Sequence, residues 1–118
     1  MSREHLRYQR YPISRPALVA LQDGRTFQGQ TINVSRDGIA LTIGERPSMH
    51  KHLHVRFDLP TKDPTTVISA AAETVWSDQH GRAGLQFRHM PASSQEHLLH
   101  GLAELHRRVH PDLVRYCS

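Results

Sequence analysis

His52-Leu53-His54-Val55-Arg56-Phe57-Asp58-Leu59 sets the rule by which the rest of the chain is read. Leu53, Val55, Phe57 and Leu59 fall on one face of an extended segment, and His52, His54, Arg56 and Asp58 on the other. Side chains of a strand alternate, so this is a strand with one face on a core. The same period of two recurs on both sides. Upstream, Ala17, Val19 and Leu21 alternate, Gln22-Asp23-Gly24-Arg25 supplies an Asp-Gly hairpin turn, and Thr26–Val34 is the next strand. Ser35-Arg36-Asp37-Gly38 interrupts the pattern before Ile39, Leu41 and Ile43 resume it. A loop is expected over Gly44–Ser48, around Pro47. Downstream, Pro60–Pro64 ends the strand, Thr66–Trp76 is β-branched and apolar, His80-Gly81 turns the chain, and Ala83, Leu85 and Phe87 alternate. Strands recurring every about 8–12 residues, with turns and no helices between them, predict an antiparallel barrel or sandwich.

The period then changes. Ser93-Ser94-Gln95-Glu96 is a capping-box signature, and Leu98, Leu99, Leu102 and Leu105 follow at helical spacing. Pro111 is expected to open a last short turn of helix through Leu113 and Val114. Residues 1–118 therefore read as a single, mainly β domain of six or seven antiparallel strands, a barrel over 16–90. A C-terminal helical segment over 93–116 lies across one barrel opening, and residues 1–15 form a flexible arginine-rich arm.

A chain of 118 residues supports one hydrophobic core and not two. Its one cysteine, Cys117, excludes an internal disulfide and a multi-cysteine zinc site. No apolar run approaches the ~20 residues of a membrane span, and the first residues lack the apolar heart of a signal peptide. A reducing, cytoplasmic setting is expected. Fifteen Lys and Arg against eleven Asp and Glu favour an anionic partner without naming one.

Histidine is the compositional oddity, with ten copies. His50, His52 and His54 share a strand face, but Arg56 and Asp58 continue the row, and a guanidinium there would repel a metal cation. The row reads as solvated, with no metal. His106 and His110 lack the intervening glutamate of a metalloprotease helix. No nucleophile elbow, phosphate-binding Gly-rich loop or dinucleotide fingerprint occurs, so no enzymatic activity is expected. Nucleic acid is disfavoured too, because stacking needs exposed aromatics and Trp76 is expected in a buried strand.

Two stretches carry binding chemistry. Arg3, Arg7, Arg10 and Arg15 load the arm, set against one acid, Glu4. Guanidinium forks match phosphate oxygens and the guanine edge, and stack on purine rings. The arm would serve equally for nonspecific nucleic acid or for solubility. Asn33-Val34-Ser35-Arg36-Asp37-Gly38 ends a strand, where an Asn amide can read a base edge and a Ser hydroxyl can donate to a phosphate. Gly38 would permit a positive φ in a sharp turn, and all of these residues also suit a plain turn.

Together these features resemble a PilZ domain, the bacterial receptor module for cyclic di-GMP. Asn33-x-Ser35-x-x-Gly38 matches the family's Asp/Asn-x-Ser-x-x-Gly motif. Arg10-Tyr11-Pro12-Ile13 resembles the lead-in from the arm, and Val75-Trp76 with Gly81–Phe87 resembles the closing hairpin. The family's Arg-x-x-x-Arg is offset here. With Arg10 as the second arginine the first position holds Leu6, Arg7 comes one residue late, and the literal spacing falls on Arg3 and Arg7.

The resemblance implies a six-stranded barrel with a C-terminal helix, no catalysis, no cofactor and cyclic di-GMP as ligand. Arg7 and Arg10 would hold phosphates and stack on guanine, Asn33 would contact a guanine edge and Ser35 a phosphate, beside Gly38. Arg3 and Arg36 are further candidates. The implied mechanism is a switch in which the arm wraps onto the barrel and signals to an unidentified downstream protein. Some family members have lost the ligand and act as protein adaptors, which is the alternative reading.

Overall fold

The computed structural model describes residues 8–44, 51–61 and 67–109. Seven strands precede one helix: β1 (Tyr11–Pro12), β2 (Pro16–Leu21), β3 (Thr26–Val34), β4 (Gly38–Thr42), β5 (His52–Asp58), β6 (Val67–Ser77), β7 (Arg82–His89) and α1 (Ala92–Val109). All pairings are antiparallel, in the order β3-β2-β5-β6-β7-β4, and β4 returns to β3 to close a six-stranded barrel. Closure leaves no long open edge.

Alternation builds the core as the sequence predicts. Val19, Leu53, Val55, Phe57, Ile68, Leu85, Ile39 and Leu41 all point inward and are almost completely buried. Each such side chain contributes about 1.5–3 kcal/mol of transfer free energy. His52, His54 and Arg56 of β5 face solvent. Among the described residues no three His, Cys, Asp or Glu side chains converge as a metal site, and His50 and His110 lie outside them. The Asp-Gly turn forms: the Gly24 N–H donates to the Leu21 carbonyl at 3.1 Å, and Gly24 takes φ +93°. Gly81 turns the β6–β7 hairpin with φ +78°.

The barrel begins earlier than the sequence suggests. Residues 11–15 belong to the packed body and not to an arm, because Tyr11 and Ile13 are buried. Tyr11 and Pro12 pair with Val34 and Asn33, and Pro16–Ala20 pair with Gln30–Thr26, so β1 and β2 run as one interrupted strand along β3. At the interruption the Arg15 guanidinium grips both carboxylate oxygens of Asp58, committing that arginine to structure.

The capping box is also corrected. Helix α1 starts at Ala92, and the Gln95 N–H donates to the Pro91 carbonyl at 3.0 Å. Ser94 is buried, its hydroxyl accepting the Ser69 N–H of β6 at 3.1 Å. Leu98, Leu102 and Leu105 join Tyr11, Ile13 and Met90 in the core, whereas Leu99 stays exposed. A Cβ on Gly101 would strike the Leu59 side chain, so this glycine lets the helix lie close to the barrel. The expected turn at Pro111 lies outside the described residues.

Candidate functional site

Two β-bulges aim the chemistry. Along β3, Phe27 packs on the core and Thr31 is buried, so strict alternation would turn Asn33 inward. The register shift between Thr31 and Asn33 inserts Ile32 as an extra residue. The faces then exchange: Val34 is buried and Asn33 is turned to the outer surface.

The outward Asn33 meets the chain entering the barrel. With Tyr11 and Ile13 buried, Arg10 lies on the outer side of β1, and its Nη1 donates to Asn33 Oδ1 at 2.8 Å. This contact joins the two candidate stretches of the sequence. Of the two registers open for the arm, it brings Arg10 to the motif. Arg3, Leu6 and Arg7 lie outside the described residues.

Arg15, Arg25, Arg82, Arg88 and Arg108 each hold a carboxylate, whereas Arg10, Arg36, Arg56 and Arg107 form no carboxylate ion pair among the described residues. Of these four, Arg10 touches the motif and Arg36 lies within it. A guanidinium without a carboxylate keeps its charge for an anion. Arg36 sits 5.4 Å from the centre of the Tyr8 ring, a cation–π contact across the same turn. It also borders a cleft of about 320 Å³ between β7 and α1, with Arg88, His89, Gln95 and Leu99.

Gly38 plays a different part from the one expected, and Ser35 is engaged within the turn. Ser35 is fully buried, and its hydroxyl donates to Asp37 Oδ1. Its N–H donates to the Gly38 carbonyl at 2.9 Å, closing the β3–β4 turn. The hydroxyl thus holds the turn. Gly38 does not take a positive φ; a Cβ there would sit on the Leu85 carbonyl oxygen. Glycine is required by the close approach of β4 to β7.

Trp76 is the residue that the strand period misplaces. Ile68, Ala70 and Ala72 point inward, and alternation would carry Trp76 inward as well. The register shift between Thr74 and Trp76 inserts Val75 and turns Trp76 outward, leaving the indole 43 % exposed. Bulges carry no distinct sequence signal here, so alternation alone could not find it.

Comparison with known proteins follows this geometry. The family model described as PilZ domain matches residues 3–104. No curated protein matches the chain. Among solved structures, the Bacillus subtilis inhibitor of motility (MotI/DgrA) superposes with a TM-score of 0.67 at 19 % identity, covering 86 % of this chain and 49 % of that one. The chain therefore spans about half the length of that protein. The PilZ domain with c-di-GMP of YcgR from Escherichia coli superposes with a TM-score of 0.61 at 12 % identity, covering 91 % of this chain and 95 % of that domain. At these identities the likeness establishes the fold. No enzyme family is indicated, and no described helix is long and apolar enough to cross a membrane.

Proposed function

The chain belongs to the PilZ domain family, and on that basis we propose that it is a cyclic di-GMP receptor whose ligand grip is centred on Arg10 and Asn33. The observation that carries this reading is the Arg10–Asn33 hydrogen bond. It leaves most of the guanidinium donors for a phosphate or a guanine edge. It also commits Asn33 Oδ1, so the amide N–H2 is the part left to face guanine acceptors. Arg36 adds a second cation without a carboxylate partner among the described residues. Arg7 and, with it, Arg3 are further phosphate contacts in this reading, and the covered surface signals to a partner protein.

One observation favours the adaptor alternative. The Ser35 hydroxyl, the motif's phosphate donor by resemblance, is buried and engaged by Asp37. Calorimetric titration with cyclic di-GMP, beside a short single-stranded DNA, separates the readings. Saturable heat with the dinucleotide alone supports the receptor, and no heat with either supports the adaptor. Comparable heat with DNA points to a nucleic-acid barrel.

A further inference from the structure

Leu98, Leu102 and Leu105 of α1 are buried, yet Leu99 leaves 46 % of its surface in solvent. It forms a ridge between two clefts. The cleft of about 320 Å³ between β7 and α1 lies on one side. A second, of about 370 Å³, lies on the other, lined by Tyr8, Tyr11, Leu102, Ala103 and Arg107. Leu99 and Arg36 border both. Leu99, Ala103 and Arg107 are exposed and stand four residues apart, so they form one line along the helix.

The charge on this groove has one sign. Arg36, Arg88 and Arg107 line it, and among the described residues no carboxylate does. Arg36 and Arg107 form no carboxylate ion pair among those residues either. An apolar ridge framed by guanidinium groups complements an acidic surface that carries apolar side chains. A compact ligand would fill one cleft, whereas a segment straddling Leu99 fills both. Strand addition does not suit such a segment, because the closed barrel offers no long open edge. A helix does. From Gln95 to Arg107 α1 rises about 18 Å, the length of about 12 helical residues, and the small Ala103 side chain lets a second helix approach closely.

We infer that the groove along α1 is a docking site for an acidic amphipathic helix of a partner protein. The partner's apolar side chains pack against Leu99 and into the cleft lined by Tyr11 and Leu102, and its carboxylates meet Arg36, Arg88 and Arg107. Recognition of a helix in a groove works through apolar anchors repeated on one helical face. The inference goes beyond nucleotide binding, and it gives the chemistry of a partner that the receptor and adaptor readings both leave unnamed.

The probe is a synthetic helix of about 14 residues with leucines on one face and glutamates elsewhere. A matched peptide with lysine in place of every glutamate is the control. Each is titrated into the isotope-labelled full chain without cyclic di-GMP, and backbone amide shifts are recorded by NMR. Saturable shifts confined to α1, β7 and the Arg36 turn are expected with the acidic peptide, and none with the lysine peptide. Leu99→Glu and Arg107→Glu are each expected to weaken binding at least about fivefold. Leu18→Glu, at a similarly exposed leucine of β2, should bind like the parent. All three variants should melt close to the parent, because the substituted side chains are exposed. An equal response to the two peptides, shifts centred away from α1, or Leu99→Glu binding like the parent overturns the inference. So does an acidic peptide that gives no saturable shift up to millimolar concentration.

Discussion

Tyr11 Oη and His106 Nδ1 share a 2.7 Å hydrogen bond that ties the first strand of the barrel to the last turns of the C-terminal helix. The two rings also meet edge to face, 6.1 Å apart at 85°. Tyr11 immediately precedes the residue paired with Asn33 and immediately follows Arg10. The contact thus fixes which way Arg10 points. Burial raises the Tyr11 phenol pKa above its ordinary value, so the hydroxyl keeps its proton throughout the neutral range.

Tyr11→Phe keeps the ring and removes the hydroxyl. A hydrogen bond of this kind contributes about 1 kcal/mol, and a domain of this size should melt roughly 4 °C lower. Thermal and urea unfolding measure the change. Unchanged melting would show that Tyr11 is held by packing alone.

Gly38→Ala should destabilise the barrel more than Gly24→Ala. At Gly38 the added methyl meets the Leu85 carbonyl, backbone that cannot move without opening the β4–β7 pairing. At Gly24 the space is open and the cost is that of φ +93° alone, about 1–2 kcal/mol. Gly38→Ala is expected to exceed about 3 kcal/mol, by the scale of overpacking against an unyielding wall. Equilibrium denaturation of the two variants ranks them, and the reverse order would contradict the geometry.

Ser35→Ala is expected to lower stability, by about 1–2 kcal/mol, because it removes the hydroxyl that donates to Asp37 inside a closed turn. Asn33→Ala, on the outer face, should leave melting nearly unchanged and weaken cyclic di-GMP binding roughly ten- to hundredfold. Paired melting and calorimetry on both variants separate turn-holding from ligand contact.

Leu6→Arg tests the register of the arm. With Arg10 seated on Asn33, position 6 completes the family spacing, and an added arginine should tighten binding about fivefold or more after its ordering cost. Arg3→Ala should do little. A crippled Arg3→Ala beside a silent Leu6→Arg would assign the literal Arg3–Arg7 pair instead.

The sequence made the barrel legible wherever alternation ran unbroken, as in β5, where Leu53, Val55 and Phe57 are all buried. It failed where one inserted residue exchanged the faces. Trp76 looked buried because the count from Ile68 is even, and nothing in Thr74-Val75-Trp76 marks the bulge. The outward placement of Asn33 was likewise not legible from the period, and only its motif marked it as a candidate. Tyr11 and Ile13 are too short an apolar pair to register as a strand, and their burial depends on a helix about ninety residues later. Gly38 was recognised as a required glycine for the wrong reason, since a close approach between strands leaves no trace in one sequence.

The central claim, that Arg10 and Asn33 act together on the ligand, is tested most directly by a calorimetric double-mutant cycle. Cyclic di-GMP is titrated into the parent, Arg10→Ala, Asn33→Ala and the double variant. Each single change should cost about 1.5–3 kcal/mol, and the double variant less than their sum, because the two side chains are in contact. Single variants that bind like the parent, or a parent that takes up no ligand, would contradict it.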